Sequence, residues 1–319
     1  MVTEQHLSHA AIVVVGGANM DVEARSHLEL VAQDSNPGSV QFSPGGVGRN
    51  IAENLARLGQ PTRLVSVVGA DLPGQWLLRH TAQAGVDVSC VQALDGWRTA
   101  TYVSLQGPDG DMRAAVNDMD VLRALTPRRL LAHTRALERA SSLVLECNLE
   151  QATLDWLLEH YGHLPTSVDG VSAAKCPRIR CHLARLDVLK LNRLEAQLLT
   201  GLAVASTAQV CAAAQHLCGQ GVRFVIISMG PQGLVWCETG CPPQWVPARR
   251  VPLVVSTTGA GDALLAGLID ARARGCSGAD AVAWGMACAE LTLGVTSANA
   301  SHLSAASVAA HIANQMQNI

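Results

Sequence analysis

The run Thr257-Thr258-Gly259-Ala260-Gly261-Asp262 sets three small residues and then a carboxylate at the start of an apolar stretch, Ala263–Leu268, with helical character. A helix start presents unpaired N–H groups at the positive end of its dipole. Small residues there let an anion come close to the backbone. The acid itself has an ordinary reading as a helix cap. That reading leaves the three small residues without a task. Phosphoryl transfer uses all four: a carboxylate takes the proton of an acceptor hydroxyl, and backbone donors hold the oxygens of the transferred group. Asp262 is the candidate base, and Gly259, Ala260 and Gly261 form a candidate nest of donors.

Two other short runs suit a nucleotide partner. SMGPQG (228–233) follows a strongly apolar stretch, where an α/β sheet places its ligand loops. NRLE (192–195) follows another, and Asn192 and Glu195 are of the types that reach phosphates or the hydration shell of Mg²⁺. The same four residues also read as a helix start, with Asn as cap and Glu as its capping-box partner. Other phosphate and nucleophile motifs are excluded. GxxxxGK[ST] is missing, and GGVGRN (45–50) puts Ile51 where a dinucleotide fingerprint needs a third small residue. Ser172 and Lys175 match SxxK without the SDN or KTG that would accompany an acylating serine.

The elements that must position these residues alternate. AIVVVGG (11–17), TRLVSVVG (62–69), SSLVLECNL (141–149), LDVLKLN (186–192) and VRFVIISMG (222–230) read as strands. RNIAENLARLG (49–59), PGQWLLRHTAQAG (73–85), TLDWLLEHYGHL (153–164) and VCAAAQHLCGQG (210–221) read as helices. In the first of these Arg49, Glu53 and Arg57 are spaced for ion pairing, and Gly59 ends the helix. Such alternation predicts an α/β fold, a central mostly parallel sheet flanked by helices. Two segments break the rhythm. Residues 22–42 and 97–117 read as short strands with turns, PDGD among them. They form either a small antiparallel sheet outside the main fold, acting as a lid, or two surface hairpins.

Composition narrows the function classes. The 319 residues are 49% hydrophobic and 15% charged, enough for a large core and against disorder. Aromatics make up only 3%, so Ala, Leu and Val must build that core. A net charge of −3, with Lys175 and Lys190 the only lysines among 23 basic residues, leaves no face for nucleic acid or an acidic membrane. MVTEQHLSHA (1–10) has no signal-peptide layout, and AVAWGMACAELTLGV (281–295) carries Glu290 and reads as a core helix rather than a membrane span. The ten cysteines include no CxxC pair, and Cys176/Cys181 and Cys237/Cys241 fit no zinc spacing, so they are expected as reduced thiols in a cytoplasm.

Taken in order, GGANMD (16–21), GGVGRN (45–50), LECN (145–148), KLNRLEAQLLTG (190–201), SMGPQG (228–233) and TTGAGD (257–262) resemble the ribokinase-like, or PfkB-type, sugar and nucleoside kinases along nearly the whole chain. The resemblance implies a ribokinase-like kinase domain over 1–319, with 22–42 and 97–117 as the two lid segments. It makes Asp262 the general base and Gly259, Ala260 and Gly261 the anion hole. Asn19, Asp21, Gly45, Gly46 and Asn50 become the sugar-binding set, with Glu146 as an acid against the sugar. Asn192 and Glu195 are implied to serve phosphate and Mg²⁺. Ser228, Gly230 and Gly233 are implied as the ATP floor, with Asn299 near the adenine. Lids of two chains interlock in several relatives, which implies a homodimer.

Within the family, GGVGRN, NDMD (117–120) and VSAAK (171–175) are similar to the branch that phosphorylates the 5′-hydroxyl of pseudouridine. That likeness gives Asn117 and Met119 a place near the base and Lys175 one near the base or the phosphate. Another nucleoside or a free sugar is the alternative acceptor, and a nucleoside-binding protein without catalysis is the alternative class. Ser256 stands where relatives often carry an acid belonging to a K⁺ site, which leaves K⁺ dependence open.

Overall fold

The computed structural model describes residues 10–316; the reading of residues 1–9 as free of a leader lies outside them. The first half runs β1 (Ile12–Val15), β2 (Asn19–Ser26), β3 (Gly38–Gly45), α1 (Val47–Arg57), β4 (Thr62–Gly69), α2 (Leu72–Gln83) and β5 (Asp87–Leu94). It continues with β6 (Thr101–Gln106), β7 (Met112–Asp118), the short α3 (Pro127–Leu130) and α4 (Thr134–Glu138), β8 (Ser142–Glu146) and α5 (Gln151–Tyr161). The second half holds β9 (Thr166–Asp169), β10 (Val188–Asn192), α6 (Arg193–Thr200), α7 (Thr207–Gly219), β11 (Phe224–Ser228), β12 (Leu234–Glu238) and β13 (Gln244–Val246). Three helices close the described chain: α8 (Ala260–Ala273), α9 (Gly278–Leu293) and α10 (Ala305–Met316).

Nine strands form one sheet in the order β13-β12-β11-β10-β9-β8-β1-β4-β5. From β11 to β5 every pairing is parallel, and β12 and β13 add an antiparallel edge. β1 is apolar throughout, and β8 is apolar from Leu143 to Leu145, because helices cover both faces. Their residues alternate between two cores. Val13, Val15, Leu143 and Leu145 pack with α5 and α7, whereas Ile12, Val14 and Val144 pack with α1, α8 and α9. The 281–295 stretch is the buried helix α9, and no helix of the described residues is long and apolar enough to cross a membrane.

A second sheet of four strands has the order β3-β2-β6-β7. Each hairpin, β2/β3 and β6/β7, is antiparallel, and the two are joined by parallel pairing of β2 with β6. The observed strands extend past the predicted segments at Asn19 and Gly45. PDGD makes the β6–β7 turn, with Gly107 N donating to Asp111 O at 2.9 Å.

Strand alternation gives this sheet two unlike faces. The register row Ser43–Asp21–Tyr102–Asn117 lies on one face. The next row, Phe42–Val22–Val103–Val116, lies on the other and is apolar, with Phe42 59% and Val116 71% exposed.

Candidate active site

Gly259 is the N-cap of α8, and its left-handed backbone (φ +78°) turns the chain sharply into the helix. A side chain there would meet the carbonyl oxygen of Ala298 at 1.9 Å. The first intrahelical bond runs from Ala263 N to Gly259 O at 2.9 Å, so the N–H groups of Ala260, Gly261 and Asp262 stand free at the helix mouth. Ser256 supports the approach, its Oγ accepting from Thr258 N at 3.1 Å.

Asp262 sits in the first turn of α8 and is only 8% exposed. Asn50 Nδ2, from α1, donates to its Oδ2 at 2.8 Å. Burial pushes the carboxyl up to about 7, and the like charge of Asp169 adds to this, while Lys190, the Asn50 bond and Arg49 pull the other way. A carboxylate poised near neutrality is suited to exchange a proton. Behind it Lys190 Nζ, on β10, donates to Asp169 Oδ2, on β9, at 2.9 Å in a buried pair. Burial disfavours the lysine's charge, but the Asp169 and Asp262 carboxylates hold its pKa above the ordinary value.

Two cavities meet at this turn. One, of about 430 Å³, lies between the main sheet and the small one. Asn19, Asp21, Gly46, Asn50, Asn117, Met119 and Lys175 line it with Thr258, Gly259 and Asp262, bringing these predicted residues together. Gly46 turns into α1 at φ +99°, where a Cβ would strike Gly17 O at 2.5 Å. Asn19 Nδ2 donates to Asp21 Oδ1 at 2.6 Å, and burial raises the Asp21 carboxyl to about 6. Lys175 Nζ donates to Asn148 Oδ1, and Asn148 lines the same cavity. The other cavity, of about 600 Å³, is walled by Ser228, Gly230 and Gly233 on one side and by Met286, Ala289 and Leu293 of α9 on another. Thr257, Ala260 and Gly261 belong to its wall as well.

Several predicted residues stand elsewhere. Glu146 does not line the smaller cavity: it is fully buried at the end of β8, with Oε1 accepting from Gly17 N and Oε2 from Asn148 N, each at 2.7 Å. Burial lifts it to about 7 against those two bonds. It holds the Gly16–Gly17 loop from behind. Gly45 lies against the Asp21 carboxylate rather than in the cavity wall. Asn299, expected near an adenine, does not line the larger cavity; its Nδ2 donates to Asn50 O at 2.9 Å. Asn192 and Glu195 form a complete capping box for α6. Both Glu195 oxygens accept from Asn192, at 2.8 and 2.6 Å. Among the described residues no group of three His, Cys, Asp or Glu side chains is placed to hold a metal, and all ten cysteines are free thiols.

Asp169, Lys190 and the fully buried Arg49 are the site neighbours that motif reading passes over. Lys190 did carry a signal, a charge between Leu189 and Leu191 in the apolar part of β10, whereas Asp169 ends the mostly polar β9 and carried none.

A carboxylate near neutrality, free helix-mouth donors beside it and a cavity on either side suit a phosphotransferase that acts on an alcohol group, the class to which the family assigns the chain. The chain belongs to the pfkB family of carbohydrate kinases, whose profile matches residues 9–305. It is 38% identical over 303 residues to the pseudouridine kinase of Escherichia coli, covering 95% of this chain and 96% of that one. An uncharacterised sugar kinase of the same organism is 35% identical over 293 residues, covering 92% and 81%. The fold is shared with Arabidopsis thaliana ribokinase complexed with ribose and ATP, at a TM-score of 0.86, 23% identity and coverage of 95% and 98%.

Proposed function

We propose that the protein transfers the terminal phosphoryl group of ATP to the 5′-hydroxyl of pseudouridine. The observation that carries this reading is the turn 257–262, which walls both cavities at once. An acceptor in the smaller cavity and a donor in the larger one meet across it. The acceptor's hydroxyl lies at Asp262, which takes its proton as the bond to phosphorus forms. The free N–H groups of Ala260, Gly261 and Asp262 hold the oxygens of the group in transit. Asn19, Asp21 and Asn50 orient the ribose, and Asn117, Met119 and Lys175 face the base. Glu146 keeps the loop before Asn19 in place. The likeness to a pseudouridine kinase over nearly all of the chain supports the choice of nucleoside.

Ser228, Gly230 and Gly233 support the nucleotide, and the apolar wall from α9 suits its purine. Among the described residues no side-chain cage is placed for Mg²⁺, and both Glu195 oxygens are engaged by Asn192. An ion carried by the triphosphate and its waters fits this donor set, with Glu195 reached through water. When bound, it neutralises charge on the phosphates. Ser256 supplies no carboxylate for K⁺, so K⁺ activation is not part of the proposal.

The small sheet acts as the lid (22–42 and 97–117), and its closure excludes water and limits ATP hydrolysis. Its outer apolar face is the homodimer contact. Ten unpaired thiols suit a reducing cytoplasm.

ADP release measured over pseudouridine, uridine, adenosine, inosine, ribose and fructose 6-phosphate tests the reading. Highest kcat/KM with pseudouridine is expected. Preference for another acceptor overturns the substrate and leaves the kinase, and no ADP release with any acceptor overturns both.

A further inference from the structure

Arg49 precedes Asn50 on α1, and none of its side chain is exposed. Burying a guanidinium is expensive unless its donors are satisfied. Here they are. Nε donates to Gly45 O at 3.0 Å, and Nη1 donates to Glu53. Nη2 donates to the side-chain oxygens of both Asn50 and Asn299. Asn299 closes the ring by donating to the Asn50 carbonyl at 2.9 Å.

The consequence falls on the amide of Asn50. Its oxygen faces the guanidinium, and its nitrogen faces Asp262 Oδ2 at 2.8 Å. Turned over, the amide would set its N–H₂ against guanidinium donors and its oxygen against a carboxylate. Both neighbours therefore select one orientation. We propose that Arg49 is the positioning residue of the catalytic base: by fixing the Asn50 amide it commits Oδ2 of Asp262 to that bond and leaves Oδ1 for the proton of the acceptor hydroxyl. The inference rests on Asp262 being the base, and it goes further by saying which oxygen acts and what assigns it.

The same contacts tie the base to the anion hole. Asn299 follows Ala298, whose backbone presses against Gly259. One buried guanidinium thus fixes the amide beside the base and holds the loop that backs the donor turn.

Arg49 also acts by charge. Its cation faces Glu53 on its own helix, Asp21 on β2 and Asp262 on α8. Asp262 is faced in addition by Asp169 from β9 and Lys190 from β10. Within that set Arg49 favours the ionised base, so its loss raises the Asp262 pKa and moves the acid limb of the kcat profile to higher pH.

Two variants test this, assayed with whichever acceptor of the panel turns over fastest. Arg49→Lys keeps a cation and loses the planar fork. Arg49→Met combined with Glu53→Gln removes the buried charges together, so that neither is stranded. For folded protein of either kind, verified by thermal melting, kcat is expected to fall about 10²-fold, as for a misplaced catalytic group. KM for ATP should stay unchanged, and in the double variant the acid limb should move up. A folded double variant with wild-type kcat and an unmoved limb overturns the proposal. So does activity that falls only in step with the folded fraction in both variants. A failure of the underlying reading looks different: Asp262→Asn would then retain activity whatever Arg49 does.

Discussion

Gly259→Ala is the sharpest test of the donor turn, because its cost follows from two separate features. The first is backbone strain: φ is +78°, and a residue with a Cβ in the left-handed region costs roughly 1–2 kcal/mol. The second is collision. The added Cβ would lie 1.9 Å from Ala298 O, 2.6 Å from its C and 2.7 Å from its Cα, all backbone atoms that cannot rotate aside. Overpacking of this kind adds about 1–3 kcal/mol. The sum, about 2–5 kcal/mol, corresponds to a fall in Tm on the order of 10 °C for a large domain. Relief of the clash must push the turn away from Ala298 and so misdirect the N–H donors, at a cost in kcat of about 10²–10³-fold. Gly275→Ala supplies the control. Its φ is +79°, yet nothing lies within 4 Å of the position its Cβ would take, so it carries the strain without the collision. Differential scanning calorimetry and steady-state ADP release on both variants decide the matter. Equal Tm and equal kcat in the two would refute the claim that the Ala298 wall sets the turn.

Four further outcomes follow from the site and the small sheet. Asp262→Asn should lower kcat by ~10²–10⁴ while calorimetric titration still shows acceptor binding; wild-type turnover would remove Asp262 from the chemistry. Asp169→Asn takes away the like charge and leaves Lys190 beside Asp262, so the acid limb of kcat, expected near pH 7 in the wild type, should move down, and an upward shift contradicts the assignment. Asp21, Glu146 and Asp262 have folded pKa values of about 6, 7 and 7 against ordinary values of 3.8, 4.5 and 3.8. The folded state therefore holds protons that the unfolded chain releases across this range, and their contribution to stability is present at the acid side and lost as pH rises from about 4 to 7, so Glu146→Gln should flatten the fall in Tm between pH 5 and 7.5. Phe42→Asp with Val116→Asp puts charges on the outer face of the lid and should convert a dimer into a monomer by light scattering, whereas an unchanged mass rejects that face as the contact.

The sequence announces strands whose buried faces gather apolar residues: 11–17 contains β1, IVVV, and 62–69 matches β4 residue for residue. Strands that are short, polar or at an edge are silent. β9 is buried but has four residues of which three are polar, β13 has three exposed or half-buried ones, and β5, at the sheet edge, mixes polar and apolar residues like a loop. The gathering of Asn19, Asp21, Asn50 and Asp262 around one cavity is legible because they lie in short motifs that keep their order. Arg49 illustrates what spacing cannot carry. Its i,i+4 relation to Glu53 predicts an ion pair, and the pair is present, but spacing alone gives no hint that the guanidinium is buried. What buries it includes Asn299, 250 positions along the chain. NRLE shows the converse: the local capping-box reading describes the geometry in full.

The two cavities divide the chain by order of synthesis. Apart from Thr258, Gly259 and Asp262, every residue lining the acceptor cavity comes from Gly17 to Lys175, whereas the donor cavity is built from Ser228 to Leu293. A nascent chain emerging from the ribosome thus completes most of its acceptor wall before any donor wall exists. The turn 257–262, which lines both cavities, arrives once the strands bordering the larger one have been made.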